Sequence, residues 1–207
     1  MITPYAKVLV VDDDAEFRAS IDRFLRSVGY DVETFDSPEK LLHRANGRPD
    51  DVPACVLLDL RMPGMSGLEA QNELMRRRDA PPIVFVTAHG DVAASVQAMK
   101  KGAVDFLEKP FDEPRVLEAI ERAVSKNARD RSVRIASRQA RARLDRLTAR
   151  ERQVCDYLTA GLINKQIAAE LGIAEGTVKV HRSRMMEKLG IGSVVALMRL
   201  RDQAAQA

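Results

Sequence analysis

Five short apolar runs, each followed by a longer amphipathic stretch, leave the first 124 residues very few ways to fold. The runs are KVLVV (7–11), DVETF (31–35), ACVLL (54–58), PIVFV (82–86) and AVDFL (103–107). Helical periodicity fills the intervals at about 15–28, 38–46, 67–78, 91–101 and 112–126. In EFRASIDRFLRSVGY, residues Phe17, Ile21, Phe24, Leu25 and Val28 share one stripe and Gly29 ends it. Three of the runs are apolar at nearly every position, as strands are when helices cover both faces of a parallel sheet. Five such strand–helix units specify an α/β fold built on a doubly wound parallel sheet.

Strand signals stop at about residue 127. The stretch NARDRSVRIASRQARARLDRLTARER is rich in Arg and Ala and lacks Pro and Gly, so a helical linker is expected over 127–146. Three or four helices follow at 148–160, 164–171, 175–189 and 192–201, punctuated by Gly161, Gly172 and Gly190. The expected organisation is therefore an α/β domain over 1–126, the linker, and an all-α domain over 147–207. Charge divides the same way. Residues 1–124 carry 16 Lys/Arg against 22 Asp/Glu, and residues 125–207 carry 17 against 8, so an acidic front precedes a basic rear that favours a polyanion. No apolar run approaches the ~20 residues of a membrane-spanning helix. The start, MITPYAKVLVVDDD, lacks the basic, apolar and small-residue order of a signal peptide. Cys55 and Cys155 have no metal-ligand spacing and are expected to be buried thiols of a cytoplasmic protein.

The stretch VLLDLRMPGMSG (56–67) delivers Asp59 from a buried strand into a turn, which is costly unless a neighbour neutralises or uses the acid. Ligands of doubly wound sheets bind beyond the carboxyl ends of the strands. There the first run meets Asp12, Asp13 and Asp14, the third meets Asp59, the fourth ends at Thr87, and Lys109-Pro110 follows the fifth. Singly these residues are ordinary: an Asp after a strand caps a helix, and a Lys sits on the surface. Together they gather carboxylates, a hydroxyl and an ammonium at one edge. Clustered carboxylates repel unless a cation bridges them, and an all-oxygen set suits Mg²⁺. With Lys109 neutralising the remainder, ionised Asp59 can attack phosphorus to form an aspartyl-phosphate, whose phosphoryl group Thr87 would hydrogen-bond.

These residues resemble the receiver domain of bacterial two-component response regulators, through VDDD, LLDLRMPGMSG, FVTAHGD and GAVDFLEKPF across residues 5–126. The resemblance implies a flavodoxin-like strand order of 2-1-3-4-5, Asp59 as phosphoacceptor, and Asp12 and Asp13 as an acidic pair. It implies metal ligation by Asp13 and Asp59 with the backbone carbonyl of Arg61. It also implies phosphoryl contacts from Lys109 and Thr87, a cis Lys109–Pro110 bond, and Phe106 as an aromatic switch partnered with Thr87.

In the basic rear, NKQIAAELGI and AEGTVKVHRSRMMEKLG read as helix, turn and helix. Val178, Met185, Met186 and Leu189 can face inward, leaving Lys179, Arg182, Ser183 and Arg184 outward with Val180 and His181 near the boundary. A solvated amphipathic helix fits the spacing as well as a DNA-reading one. The segment LTARER followed by this unit resembles the LuxR-type helix-turn-helix. That implies base-edge contacts from Lys179, Val180 and Ser183, and phosphate contacts from Thr177, Arg182, Lys165 and nearby groups such as Arg184. His181 and His89 are read as ordinary residues, not metal ligands. The pairing of both domains resembles the FixJ/NarL class of response regulators. It implies a non-enzymatic transcription factor with a sensor histidine kinase as phosphodonor, homodimerisation on phosphorylation, and double-stranded DNA with a pseudo-palindromic site as target. Three other readings stand beside it: a constitutive DNA-binding protein with a structural front domain, a phosphohydrolase using Asp59, and a flavin- or nucleotide-binding flavodoxin-like module.

Overall fold

The computed structural model describes residues 6–44, 52–77, 79–88 and 92–206. The chain divides into two compact units, Met1–Arg131 and Ser132–Ala207. In the first unit five parallel strands, β1 (Lys7–Val11), β2 (Asp31–Phe35), β3 (Ala54–Asp59), β4 (Ile83–Thr87) and β5 (Asp105–Glu108), form one sheet in the order β2-β1-β3-β4-β5. The strands alternate with α1 (Ala15–Ser27), α2 (Pro38–Arg44), α3 (Gly67–Met75), α4 (Val92–Lys100) and the start of α5 (Glu113–Asp145).

The all-apolar central strands have a direct cause. Successive side chains of a strand point to opposite faces, and both faces here are covered. Val8, Val10, Cys55, Leu57, Val84 and Val86 pack with Ile21 and Leu25 of α1 and with Val116, Ile120 and Val124 of α5. Their alternates Leu9, Val11, Val56, Leu58, Ile83 and Phe85 pack with Leu41 of α2, Leu74 of α3 and Ala98 of α4. Each large apolar side chain so buried contributes about 1.5–3 kcal/mol. The edge strand β2 instead carries Asp31 and Glu33, both bonded to Lys7, and Arg44 holds Glu33 as well. Charge on an edge strand discourages pairing with a further strand.

Element ends follow local chemistry. Asp14 caps α1 by accepting from the N–H groups of Glu16 and Phe17 at 2.9 and 3.2 Å. Ser66 and Glu69 form a capping box on α3. The expected helix at 112–126 and linker at 127–146 are one element, because nothing between Glu113 and Asp145 beyond the first-turn Pro114 breaks a helix. Strand β5 starts at Asp105, two residues later than its apolar run, since after the Gly102 turn at φ 92° Ala103 still donates to the Ala98 carbonyl of α4 at 3.1 Å. Positions 45, 46, 78 and 91 of the expected helices, and His89, lie outside the described residues.

In the second unit α6 (Ala149–Thr159), α7 (Asn164–Leu171), α8 (Glu175–Leu189) and α9 (Val194–Ala205) enclose Val154, Leu158, Ile167, Val178, Met185, Leu189, Leu197 and Leu200. Burial of Leu200 and Ala204 carries α9 past the expected end at 201. Gly161, Gly172 and Gly190 all adopt positive φ between helices. Both cysteines are free and buried.

Among the described glycines, the closest approach lies where β3 meets α3. A Cβ added at Gly67 would stand 2.2 Å from the Asp59 carbonyl oxygen and 3.0 Å from the Phe85 ring. Gly67→Ala therefore pushes α3 off the strand end, and we expect it to cost about 1–3 kcal/mol. The midpoint of urea unfolding checks this, and an unchanged midpoint would contradict the close approach.

Candidate functional site

Parallel winding brings the polar strand ends to one edge. The chain leaves β1 towards β2, then crosses back to β3 on the other side of β1, so a crevice opens between the carboxyl ends of β1 and β3. Val11 is paired with Leu58 across these strands, and the next residues are Asp12 and Asp59. Asp12 is fully buried, Asp59 is 8 % exposed and Asp13 is exposed. One oxygen from each of Asp12, Asp13 and Asp59 lies within 4.8 Å of the others. Among the described residues this is the one group of three acidic, His or Cys side chains so arranged.

Lys109 arrives from the far side of the sheet. Its N–H donates to the Thr87 carbonyl at 2.7 Å, extending the β4–β5 ladder, and the following Lys109–Pro110 bond is cis. The ammonium donates to Asp12 Oδ2 at 2.5 Å and stands 3.6 Å from Asp59 Oδ2. Thr87 ends β4, one residue past the partner of Asp59, and is buried. Arg61 is exposed, and its N–H donates to Asp59 Oδ1 at 3.3 Å. Phe106 stands apart from the acids. It is half-buried on β5, its ring 6.3 Å from that of its registered partner Phe85.

Burial raises the Asp59 carboxyl above its ordinary range. The Lys109 ammonium pulls it down, the Asp12 carboxylate pushes it up, and the N–H groups of Arg61 and Leu60 lower it. Both Asp12 oxygens are already occupied, Oδ2 by Lys109 and Oδ1 by the Asp14 N–H at 3.0 Å. Three carboxylates thus face one ammonium, and the hard oxygens left over on Asp13 and Asp59 fit a small divalent cation.

Two features here escape a reading of the sequence. The Phe17 ring, which periodicity assigns to the core stripe of α1, lies 3.8 Å from the Lys109 ammonium and meets Phe111 edge-on. Asn127 is buried far along α5, where it accepts from the Ala54 N–H at 3.0 Å and closes the start of β3. Both contacts join segments about 70 to 90 residues apart, and no local pattern announces them.

In the second unit α8 buries Val178, Met185 and Leu189, with Met186 half-buried beside them. Thr177, Lys179, Val180, Ser183 and Arg184 are exposed on the same helix. Lys179 pairs with Glu175 at 3.1 Å on the surface. Arg182 is half-buried and donates to Asn164 Oδ1 at 3.3 Å, beside the exposed Lys165 of α7. His181 is half-buried. The far end of α8 is firmly held. Arg143 donates to the Leu189 carbonyl, and Lys188 bonds buried Glu151 at 2.7 Å. Burial would raise the Glu151 carboxyl, but Lys188 and the Thr148 cap outweigh it and hold it below its ordinary value. A rigid helix with short polar groups and cations on its outer side suits major-groove contact.

Comparison with known proteins agrees with both units. The response regulator receiver domain family matches residues 8–121, and the family of bacterial regulatory proteins described as luxR matches 145–201. Nodulation protein W of Bradyrhizobium diazoefficiens is 41% identical, covering 95% of this chain and 86% of that protein. The transcriptional regulatory protein FixJ of Rhizobium meliloti is also 41% identical, covering 93% of each chain. The solved structure of the response regulator StyR is 47% identical, covers 96% of this chain and 98% of its own, and superposes with a TM-score of 0.85.

The crowded carboxylates generate a stability prediction. A carboxyl whose folded pKa lies above its unfolded one supports folding fully below about pH 4 and ceases to as pH rises through the folded value. At neutral pH without divalent cations, Asp59→Asn should raise the thermal midpoint by a few degrees. The gap should narrow when a divalent cation is added and close as the pH falls towards the unfolded carboxyl pKa. Thermal scans with and without chelator check this, and an Asn variant that is less stable throughout would contradict it.

Proposed function

This chain belongs to the transcriptional response regulators that join a receiver domain to a LuxR-type DNA-binding domain, and on that premise we propose that phosphorylation of Asp59 switches its dimerisation and DNA binding. The observation that carries the reading is the convergence of Asp12, Asp13, Asp59 and Lys109 from three separate strand ends. The donor is a phosphohistidine of a sensor histidine kinase. An Asp59 oxygen attacks the phosphorus, the new O–P bond forms as the P–N bond breaks, and the electron pair leaves with the imidazole. Lys109, already 3.6 Å from Asp59, neutralises charge on the transferred oxygens, and the Thr87 hydroxyl donates to them. Asp13, Asp59 and the Arg61 carbonyl, with Asp12 alongside, would hold Mg²⁺, which when bound screens the phosphoryl charge and the carboxylates from each other.

A phosphoryl group adds about −1.5 to −2 charges where the cations stand ready. Movement of Thr87 towards it vacates space beside β5, and Phe106, half-buried at that edge, turns into it. The face formed by α4 and β5 then changes. Exposed Val92, Val96 and Met99 on α4 make this face a suitable apolar contact for a second receiver. A change from about 1% to 99% active requires about 5.5 kcal/mol of preference for the active state, shared between the phosphoryl contacts and the dimer. Pairing sets two α8 helices on half-sites of a pseudo-palindromic duplex about 10 bp apart. Lys179, Val180 and Ser183 read base edges, while Lys165, Thr177, Arg182 and Arg184 meet phosphates. The domain boundaries that serve this reading are 1–126 for the receiver, 127–146 for the segment joining it to the output, and 147–207 for the output domain. The protein acts in the cytoplasm and turns over no substrate. Among the described residues no helix is long and apolar enough to cross a membrane.

Incubation with acetyl phosphate and MgCl₂ should add one phosphoryl group to the wild type, seen by intact mass, and none to Asp59→Asn. Dimer mass and DNA affinity should rise only in the former. Unmodified wild type, or DNA binding indifferent to modification, would overturn the reading. For the output domain, Lys165→Ala should weaken binding evenly across sequences and reduce the salt slope by about one. Lys179→Ala should instead cost about 1–3 kcal/mol and relax preference at one base position. Binding isotherms at several salt concentrations, on matched and mismatched duplexes, separate the two.

A further inference from the structure

We infer that Phe17 is a positioning residue for phosphoryl transfer to Asp59, its ring face holding the Lys109 ammonium against the carboxylate cluster; this rests on the function proposed above. Lys109 ends a flexible four-carbon stem. Its ammonium touches the acids on one side, Asp12 Oδ2 at 2.5 Å and Asp59 Oδ2 at 3.6 Å, and the Phe17 ring on the other, at 3.8 Å from the centroid. Behind lies an open groove of about 440 Å³, lined by Phe17, Phe24, Lys109, Phe111 and Val116 among others. Without the ring, the stem is free to swing the ammonium into that groove and away from Asp59.

The ring is itself held in place. Phe17 sits in the first turn of α1, its N–H bonded to the Asp14 cap at 3.2 Å. Phe111 meets it edge-on, with centroids 6.0 Å apart and planes at 88°. Because Phe111 follows Lys109 by two residues, one loop supplies both the ammonium and the brace for the ring that steers it. An aromatic face suits the task for a specific reason. It attracts a cation through its quadrupole but accepts no strong hydrogen bond. A carboxylate there would draw the N–H groups backwards, whereas the ring leaves them aimed at Asp12, Asp59 and an arriving phosphoryl group. An aliphatic side chain would cover the same surface without that attraction.

The test uses the full chain with acetyl phosphate and MgCl₂. The Asp59 oxygen–phosphorus bond forms as the anhydride P–O bond breaks, releasing acetate. Wild type, Phe17→Leu and Phe17→Tyr are compared for maximal rate, half-saturating donor concentration and phosphoryl half-life. The Lys109 Cε methylene resonances are also followed in chains labelled with ¹³C-lysine. The Leu variant should lose roughly 3- to 30-fold in maximal rate, the range of a cation–π contact, with less than about a twofold change in half-saturation. Tyr should restore the rate. Lys109 should show an upfield ring-current shift in wild type and Tyr that disappears in Leu. Equal rates in Leu and wild type, or equal losses in Leu and Tyr, would overturn the inference and leave Asp59 as phosphoacceptor untouched. Absence of the upfield shift in wild type would overturn it even if Leu failed to fold. A wild type that accepts no phosphoryl group would bring down the underlying reading and this inference together.

Discussion

Excess negative charge held in a mostly buried crevice is the constraint around which the receiver unit is organised. Asp12 and Asp59 are sequestered at the ends of neighbouring strands with one ammonium to share, and Asp13 adds a third carboxylate at the rim. Such a cluster is tolerable only because the rest of the unit makes it so. Apolar packing on both faces of the sheet supplies the stability that the acids subtract. Loops at the strand ends bring N–H groups to Asp12 and Asp59. The same imbalance makes the crevice responsive, since a site short of positive charge is strongly stabilised when a cation arrives.

Position within the sheet divides the roles of chemically equal residues. Asp12, Asp13 and Asp14 are consecutive, yet Asp12 is buried and bonded to Lys109, Asp13 stays exposed at the rim, and Asp14 turns away to cap α1. Capping by Asp14 starts α1 in the register that lays Phe17 over Lys109. A local helix signal and a long-range electrostatic contact are thus linked within three residues. The second unit shows a similar economy: Glu151 completes the cap of α6 and also anchors the end of α8 through Lys188. One face of α8 is thereby committed to the core while the other exposes Thr177, Lys179, Val180, Ser183 and Arg184 together with Glu175 and Glu187.

Patterns of short range were readable from the chain. Continuous apolar runs located the central strands, because burial on both sheet faces demands apolar residues at every position there, and a period of 3.6 located the helices. Glycines at 161, 172 and 190 marked the ends of helices because the backbone there takes positive φ. The parallel winding rule then predicted that Asp12, Asp59, Thr87 and Lys109 would share an edge. Besides the late start of β5, two helix boundaries were displaced for physical reasons. The arginine-rich stretch after 127 continues α5 because no residue in it breaks a helix, and α9 runs on to Ala205 because its last apolar residues are still buried.

The order of polar and apolar residues determined by itself that this chain forms a wound sheet with acids at one edge, followed by a basic helical unit, since burial and helix periodicity act over a few residues at a time. Only the tertiary structure decided which acid is buried, which one caps a helix, and which aromatic ring meets the lysine. Those outcomes depend on distances between segments tens of residues apart, set by strand register and loop course, and no local pattern encodes them.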